Sequence, residues 1–305
     1  LNAIAKVLRQ IRLEIGAEGE FMLLPLISIL LINLVGIGST LLLVYPKRKQ
    51  SLVRIFFVLQ LIYVYWALTG LLMLIAPETQ TKISLVYVRL IALPMIAPLW
   101  LILASKLFKF PLFEKHKSFR ALIFIIPLFS AATAALGLLQ IPIPWSDAFL
   151  HGFSPITIWG NVSTVSFKPG WFFHLYLIHS YFLLAMMYFI TGRAWLFGPK
   201  HNRKTGLVFS FAGVVPIIAE ILANKIYPEF RWTQLTIALH FQIVLVSYWI
   251  ITQHDMFKLK ALAKEKILKE TPLPILTFSP QNELWDYNRQ AEIIFQVTSS
   301  SLGKS

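Results

Sequence analysis

Cysteine is absent from the 305 residues, and Asp, Glu, Lys and Arg together make up only 14% of them. Without cysteine there are no disulfides and no thiolate metal sites, and the redox compartment leaves no mark. The shortage of charge excludes soluble domains as the main content, since these carry about 25% charged residues to cover their surfaces. Disorder is excluded with it, because a chain that is 57% hydrophobic does not have the polarity that disorder needs. With 14 glycines there is no collagen repeat. What the chain has in quantity is apolar bulk, including 24 Phe and 9 Trp. It reads as an all-α, polytopic membrane protein.

Apolar runs at 21–45, 52–75, 83–107, 121–139, 171–190, 206–223 and 235–252 predict seven spans. Each approaches the ~20 residues that a spanning helix needs, and lipid offers the backbone no partner except its own helix. The net charge of +14 then reads as loops facing anionic lipid, not as a nucleic-acid footprint. One set of connections holds Lys47, Arg48, Lys49, Arg54, Lys106, Lys109, Lys115, Lys117 and Arg120. Arg193, Lys200, Arg203, Lys204, Lys258, Lys260, Lys264, Lys266 and Lys269 belong to the same side. The other side has only Lys6, Arg9, Arg12, Lys82, Lys168, Lys225 and Arg231. The positive-inside rule puts the first set in the cytoplasm, so the N-terminus is expected outside and the C-terminus inside. No cleavable signal peptide is evident, since Glu14, Glu18 and Glu20 separate the basic start from the first apolar run.

Outside the spans, residues 1–20 form an amphipathic segment, with Leu1, Ile4, Leu8 and Ile11 on one helical face. The 140–170 connection is aromatic and Pro-rich. Within it, Ile156–Trp159 and Val162–Phe167 flank Gly160-Asn161, a two-residue hairpin signal. Such a hairpin would form a lid over the outer mouth of the bundle; the competing expectation is an ordinary loop. Asn161-Val-Ser163 matches a glycosylation sequon, with no sign of a secretory-pathway host to use it.

After the membrane part, which takes up 21–252, residues 253–270 turn Lys- and Glu-rich and read as a helical stalk. From 271 to 305 the pattern changes again. Ile275–Phe278 and Leu284–Tyr287 read as strands, and Asn288 as the cap of a helix starting at Arg289. This stretch, from Pro274 to Phe295, is similar to the opening of a PAS domain. Upstream, the chain resembles the seven-helix N-terminal sensor region of bacterial histidine kinases and related signalling proteins. The matching features are Leu93-Pro94 in the third span, Gly170-Trp171-Phe172-Phe173-His174 opening the fifth, and Val215-Pro216 in the sixth. The order of spans, stalk and PAS start matches too. The resemblance implies a receptor in the cell inner membrane that works as a homodimer. It would relay a small-molecule signal through its seventh helix to a PAS domain and a kinase output, or alternatively to a diguanylate cyclase. No cofactor is implied.

Catalytic motifs are not apparent. The 305 residues contain no phospho-accepting helical hairpin, ATP-binding module, cyclase signature, Walker loop, His-Glu-x-x-His or Gly-x-Ser-x-Gly. His174 and His179 are five apart, about 140° around a helix, which makes a poor metal pair. A retinal protein would need a lysine in the last span, and 235–252 has none. A transporter would show internal repeats and paired discontinuous helices, and no repeat is visible. An intramembrane enzyme would need an acid–base or metal constellation that the sequence does not show.

The candidate ligand residues come from depth. Arg89, His240, Glu220 and His174 each lie about three to six residues inside the outer end of a span, within roughly 5–10 Å of the boundary. Ionisable groups there face the bundle interior or a watery cavity. The expected site is an outward-opening pocket in which Arg89 binds an anionic or carbonyl group and Glu220 is its resting partner. Trp171 and the 140–170 loop would help to close it. The competing expectation is an Arg89–Glu220 pair that only holds two helices together, or side chains that snorkel to the interface.

Overall fold

A computed structural model describes residues 27–110, 117–141, 146–158, 162–199, 202–211, 271–279, 283–298 and 301–302, with 218 and 246 besides. The chain divides into two compact units, Leu1–Tyr248 and Trp249–Ser305. The first contains α1 (Ile27–Val44), α2 (Ser51–Ile75), α3 (Thr79–Ala92) and α4 (Ile96–Leu107). It continues with α5 (Lys117–Leu138), a single turn α6 (Ser146–Phe149), strands β1 (Leu150–Ile158) and β2 (Val162–Pro169), and α7 (Trp171–Phe197). Helix α8 covers 202–211. The expected N-terminal segment, the stalk and most of the sixth and seventh spans lie outside the described residues.

Among the described residues, five helices are long and apolar enough to cross a membrane, with α3 and α4 counted as one from Thr79 to Leu107. Lipid tails are as apolar as leucine, so a spanning helix has no need to hide its outward face. Leu42, Leu43, Ile178 and Phe189 are accordingly exposed. Polar side chains instead turn inward between helices. Gln60 of α2 and Thr40 of α1 are both buried, with 3.5 Å between Thr40 Oγ1 and Gln60 Oε1. The Trp100 indole of α4 donates to the Tyr63 hydroxyl of α2 at 2.8 Å.

The third span is broken where the sequence suggested a single helix. Leu93–Met95 tightens into a 3₁₀ turn. Pro94 has no N–H for the Leu90 carbonyl and its ring crowds the preceding turn, which is the usual cause of a kink. Just before the break, the Tyr65 hydroxyl of α2 donates to the Val88 carbonyl and ties the two helices together. Helix α4 ends with Lys109 at φ +50, its successor Phe110 donating to the Ser105 carbonyl at 2.8 Å. Helix α5 ends the same way, with Gln140 at φ +56 and Ile141 donating to the Leu136 carbonyl at 3.0 Å. Both are Schellman closures that use a side-chain-bearing residue where glycine is usual.

The helix ends fall into two groups. At one end α2 finishes, α3 starts, α5 finishes and α7 starts, and the β1–β2 hairpin sits there. This is the hairpin end. The other, basic end gathers the start of α2, the finish of α4 and the finish of α7. Lys106 donates to the Ser51 hydroxyl at this end.

The hairpin is antiparallel, and its register pairs Ile158 with Val162. The Gly160-Asn161 turn expected between the strands lies outside the described residues. Near its base the register shifts between His151 and Ser154, where Gly152 takes φ +60. Such a bulge bends the strand locally and increases its twist. At the basic end, α8 packs closely on α7. A Cβ on Gly206 would lie 2.7 Å from the Thr191 carbonyl oxygen and 2.8 Å from the Trp195 nitrogen. The Ser210 hydroxyl reaches that of Thr191 at 2.9 Å. Gly206→Ala is expected to cost about 1–3 kcal/mol, because helix backbones must part to admit the methyl. Gly192→Ala, with open space around it, is the matched control. Melting temperatures of the two variants in one detergent check this.

In the second unit, β3 (Leu276–Phe278) and β4 (Leu284–Tyr287) pair antiparallel, and α9 (Arg289–Phe295) follows. Asn288 organises all three. Its buried Oδ1 accepts from the Ala291 and Ile275 amides, each at 2.9 Å, and its Nδ2 donates to the Leu273 carbonyl at 2.7 Å.

Candidate functional site

At the hairpin end, one apolar cluster joins α2, α3, α5, α7 and the single turn α6 to the hairpin. Met73, Val86, Leu90, Ala134, Phe149, Leu150 and Phe172 form its buried centre. Aromatic rings carry the contact outward. Phe153 lies 5.5 Å from Tyr87 and 6.0 Å from Phe167, and Phe167 lies 6.1 Å from Phe173. Tilted and edge-on rings at these spacings favour packing beyond the area they bury. Gly137 makes room for one of them, since a Cβ there would lie 2.5 Å from the Tyr87 ring.

A buried cation ties the hairpin to α3 beside this cluster. Lys82, in the first turns of α3, is 2% exposed, and its ammonium donates to the Ser163 carbonyl of β2. Read from the sequence, Lys82 was an ordinary loop charge. The fold instead buries its stem and uses its head as a clasp. Only the folded hairpin brings residue 163 to residue 82, so no local pattern announces the pair.

Arg89 lies two turns further along α3 and is half-buried. Its Nη1 is 3.7 Å from the Met73 sulfur, a soft and weak acceptor. It thus reaches into the cluster beneath the hairpin. His174 and Trp171 are on the opposite face of α7 from the core: Trp171 is 67% exposed and His174 is exposed, whereas Phe172 and Tyr176 beside them are buried. Trp171 keeps an edge contact with Phe172, ring centres 5.9 Å apart. Glu220 and His240 lie outside the described residues. Among the described residues there is no group of three or more His, Asp or Glu placed to hold a metal.

Sequence reasoning also missed Tyr65, Met73 and the Tyr63–Trp100 pair. Each acts across a helix boundary. Their one visible signal was polarity within an apolar run, as with Gln60.

The model of the family described as the N-terminal 7TM region of histidine kinase matches residues 26–260. The chain belongs to that family. It is a multi-pass membrane protein, the seven-transmembrane sensor region of the histidine-kinase type, and the five helices described here are part of that bundle. No curated protein matches the chain. In this sensor region the β1–β2 hairpin is tied to α3 by the Lys82–Ser163 bond, and Arg89 lies two turns further along the same helix.

Proposed function

We propose that the chain is the ligand-detecting part of a sensor histidine kinase in the cell inner membrane, with its N-terminus outside and its C-terminus in the cytoplasm. It takes an external or membrane-borne small molecule at the hairpin end. The signal passes through the seventh helix and the 253–270 stalk to a PAS domain beginning in 271–305, and so to a kinase output in a homodimer. The amphipathic segment 1–20 lies at the outer surface, and 21–252 is the sensing bundle.

One observation carries this reading: Arg89 extends under an aromatic lid to a thioether. A guanidinium in such surroundings is costly to keep, and in a membrane protein it marks a ligand or ion path. Its planar fork suits an anionic or carbonyl group. Glu220 is its resting partner, and His240 belongs to the same rim. His174 and Trp171, exposed on α7, serve the outer edge of the site and not its floor.

The test uses Arg89→Gln, Glu220→Gln and the double variant in the intact protein, with a panel of small carboxylates and carbonyl compounds as probes. Arg89→Gln is expected to reduce the response to an activating compound at least about tenfold, as losing one charge-assisted contact does, with bundle stability unchanged. Singles that destabilise and a double that restores stability would instead mean a structural pair, and the pocket would be wrong.

A further inference from the structure

The basic end has a cavity of its own. About 280 Å³ of space opens between the finish of α4, the last two turns of α7 and the start of α8. This is below the roughly 300–1,000 Å³ usual for drug-sized ligands. Its walls are apolar, formed by Phe108, Phe110, Ile190 and Phe197, and its polar lining includes Lys109, Arg193 and Asn202. Lys109 and Arg193 are both exposed, and among the described residues neither side chain has an ion pair. Two cations at one small cavity, with no acidic partner among the described residues, repel each other unless an anion joins them.

The backbone adds a second observation. Lys109 takes φ +50, a conformation that suits glycine and costs other residues about 1 kcal/mol. A lysine stands at that strained position, and the position is on the cavity wall. The cavity also lies where α4 and α7 both end, the level at which helices leave hydrocarbon for headgroups. Phe197, 80% exposed, extends its apolar wall outward.

We propose that this cavity binds a phosphate ester, the headgroup of an anionic membrane lipid, clamped by Lys109 and Arg193 and accepting from the Asn202 amide. An acyl chain runs along Phe110 and Phe197. Basic pockets between helix ends take such headgroups by charge-assisted hydrogen bonds. The apolar walls favour a lipid over free phosphate, which has no use for them. The leaflet follows from the orientation proposed above, whereas the phosphate chemistry does not depend on it.

The test is native mass spectrometry of the intact chain released from nanodiscs of equal phosphatidylglycerol and phosphatidylcholine. The unsubstituted chain is expected to retain phosphatidylglycerol selectively. Lys109→Gly combined with Arg193→Gln should reduce that retention about tenfold, each cation near the surface having a comparable share. Lys49→Gln with Arg54→Gln, which removes the same charge from the same end, should leave retention unchanged. Lys109→Gly alone guards against misfolding, because it relieves the strained backbone and should keep or raise the melting temperature while weakening lipid retention. Unselective retention, or equal loss in the Lys49/Arg54 control, would overturn the site. Inorganic phosphate that displaces the lipid, and protects the lipid-free chain through the same two cations, would overturn the lipid assignment.

Discussion

Gly170→Ala is expected to be the most damaging single methyl in the described bundle. Gly170 is buried between the end of β2 and the first turn of α7, and its amide donates to the Phe149 carbonyl at 2.9 Å. A Cβ there would lie 2.2 Å from the Ala148 oxygen and 2.4 Å from the Asp147 oxygen. Both are backbone atoms, so no rotamer change relieves the clash, and either α6 or the hairpin must move. Overpacking of this kind costs about 3 kcal/mol. Gly38→Ala is the control: nothing lies within 4 Å of its Cβ position, and in a helix interior alanine gains up to about 1 kcal/mol. Chemical denaturation of the two variants in the same detergent makes the comparison. Equal stability of the two would show that the hairpin is not seated against α6 as described.

Lys82→Met is expected to loosen the hairpin while sparing the bundle. Methionine keeps most of the apolar stem that α3 buries but cannot donate to the Ser163 carbonyl. An acceptor left without its charged donor costs about 1–3 kcal/mol. Because the bond joins the hairpin to one helix, that cost falls on local opening. Amide exchange across β1 and β2 should then speed up roughly 10–100-fold, with the centre of α2 unchanged. Unchanged exchange in the strands would mean that the Lys82 bond contributes nothing to holding the hairpin. A uniform increase throughout the bundle would mean that Lys82 supports the whole fold.

How much of this was legible in the sequence depends on how local each feature is. The second run, 52–75, became Ser51–Ile75, because an apolar run of that length in lipid has only one way to satisfy its backbone. The Asn288 cap and the strands before it followed from turn chemistry within a few residues. Pro94 was visible, but the 3₁₀ turn it forces was not inferred. The fifth run was cut at 190, yet α7 continues to Phe197, at 27 residues about 40 Å of helix, so that its last turns reach the basic end.

Which face of each helix points inward was not legible. In water, a polar face identifies the outside of a helix. In lipid α7 is apolar all round, so sequence alone did not separate His174 and Trp171, which are exposed, from Phe172, which is buried. Depth along a span was readable at 1.5 Å per residue, and it led to Arg89. The neighbour of Arg89 was not, because Met73 belongs to another helix and the distance between them is set by packing.

The absence of cysteine makes the central claim, detection on one side of the membrane and relay to the other, directly testable. Ser154→Cys places one thiol on the exposed face of the hairpin, and Lys49→Cys places one at the basic end. Each is labelled in intact cells with a membrane-impermeant maleimide and again after permeabilisation. The account predicts that Ser154→Cys reacts in intact cells and that Lys49→Cys reacts only once the membrane is opened. The reverse pattern would put the hairpin and Arg89 on the cytoplasmic side and contradict an outward-facing sensor.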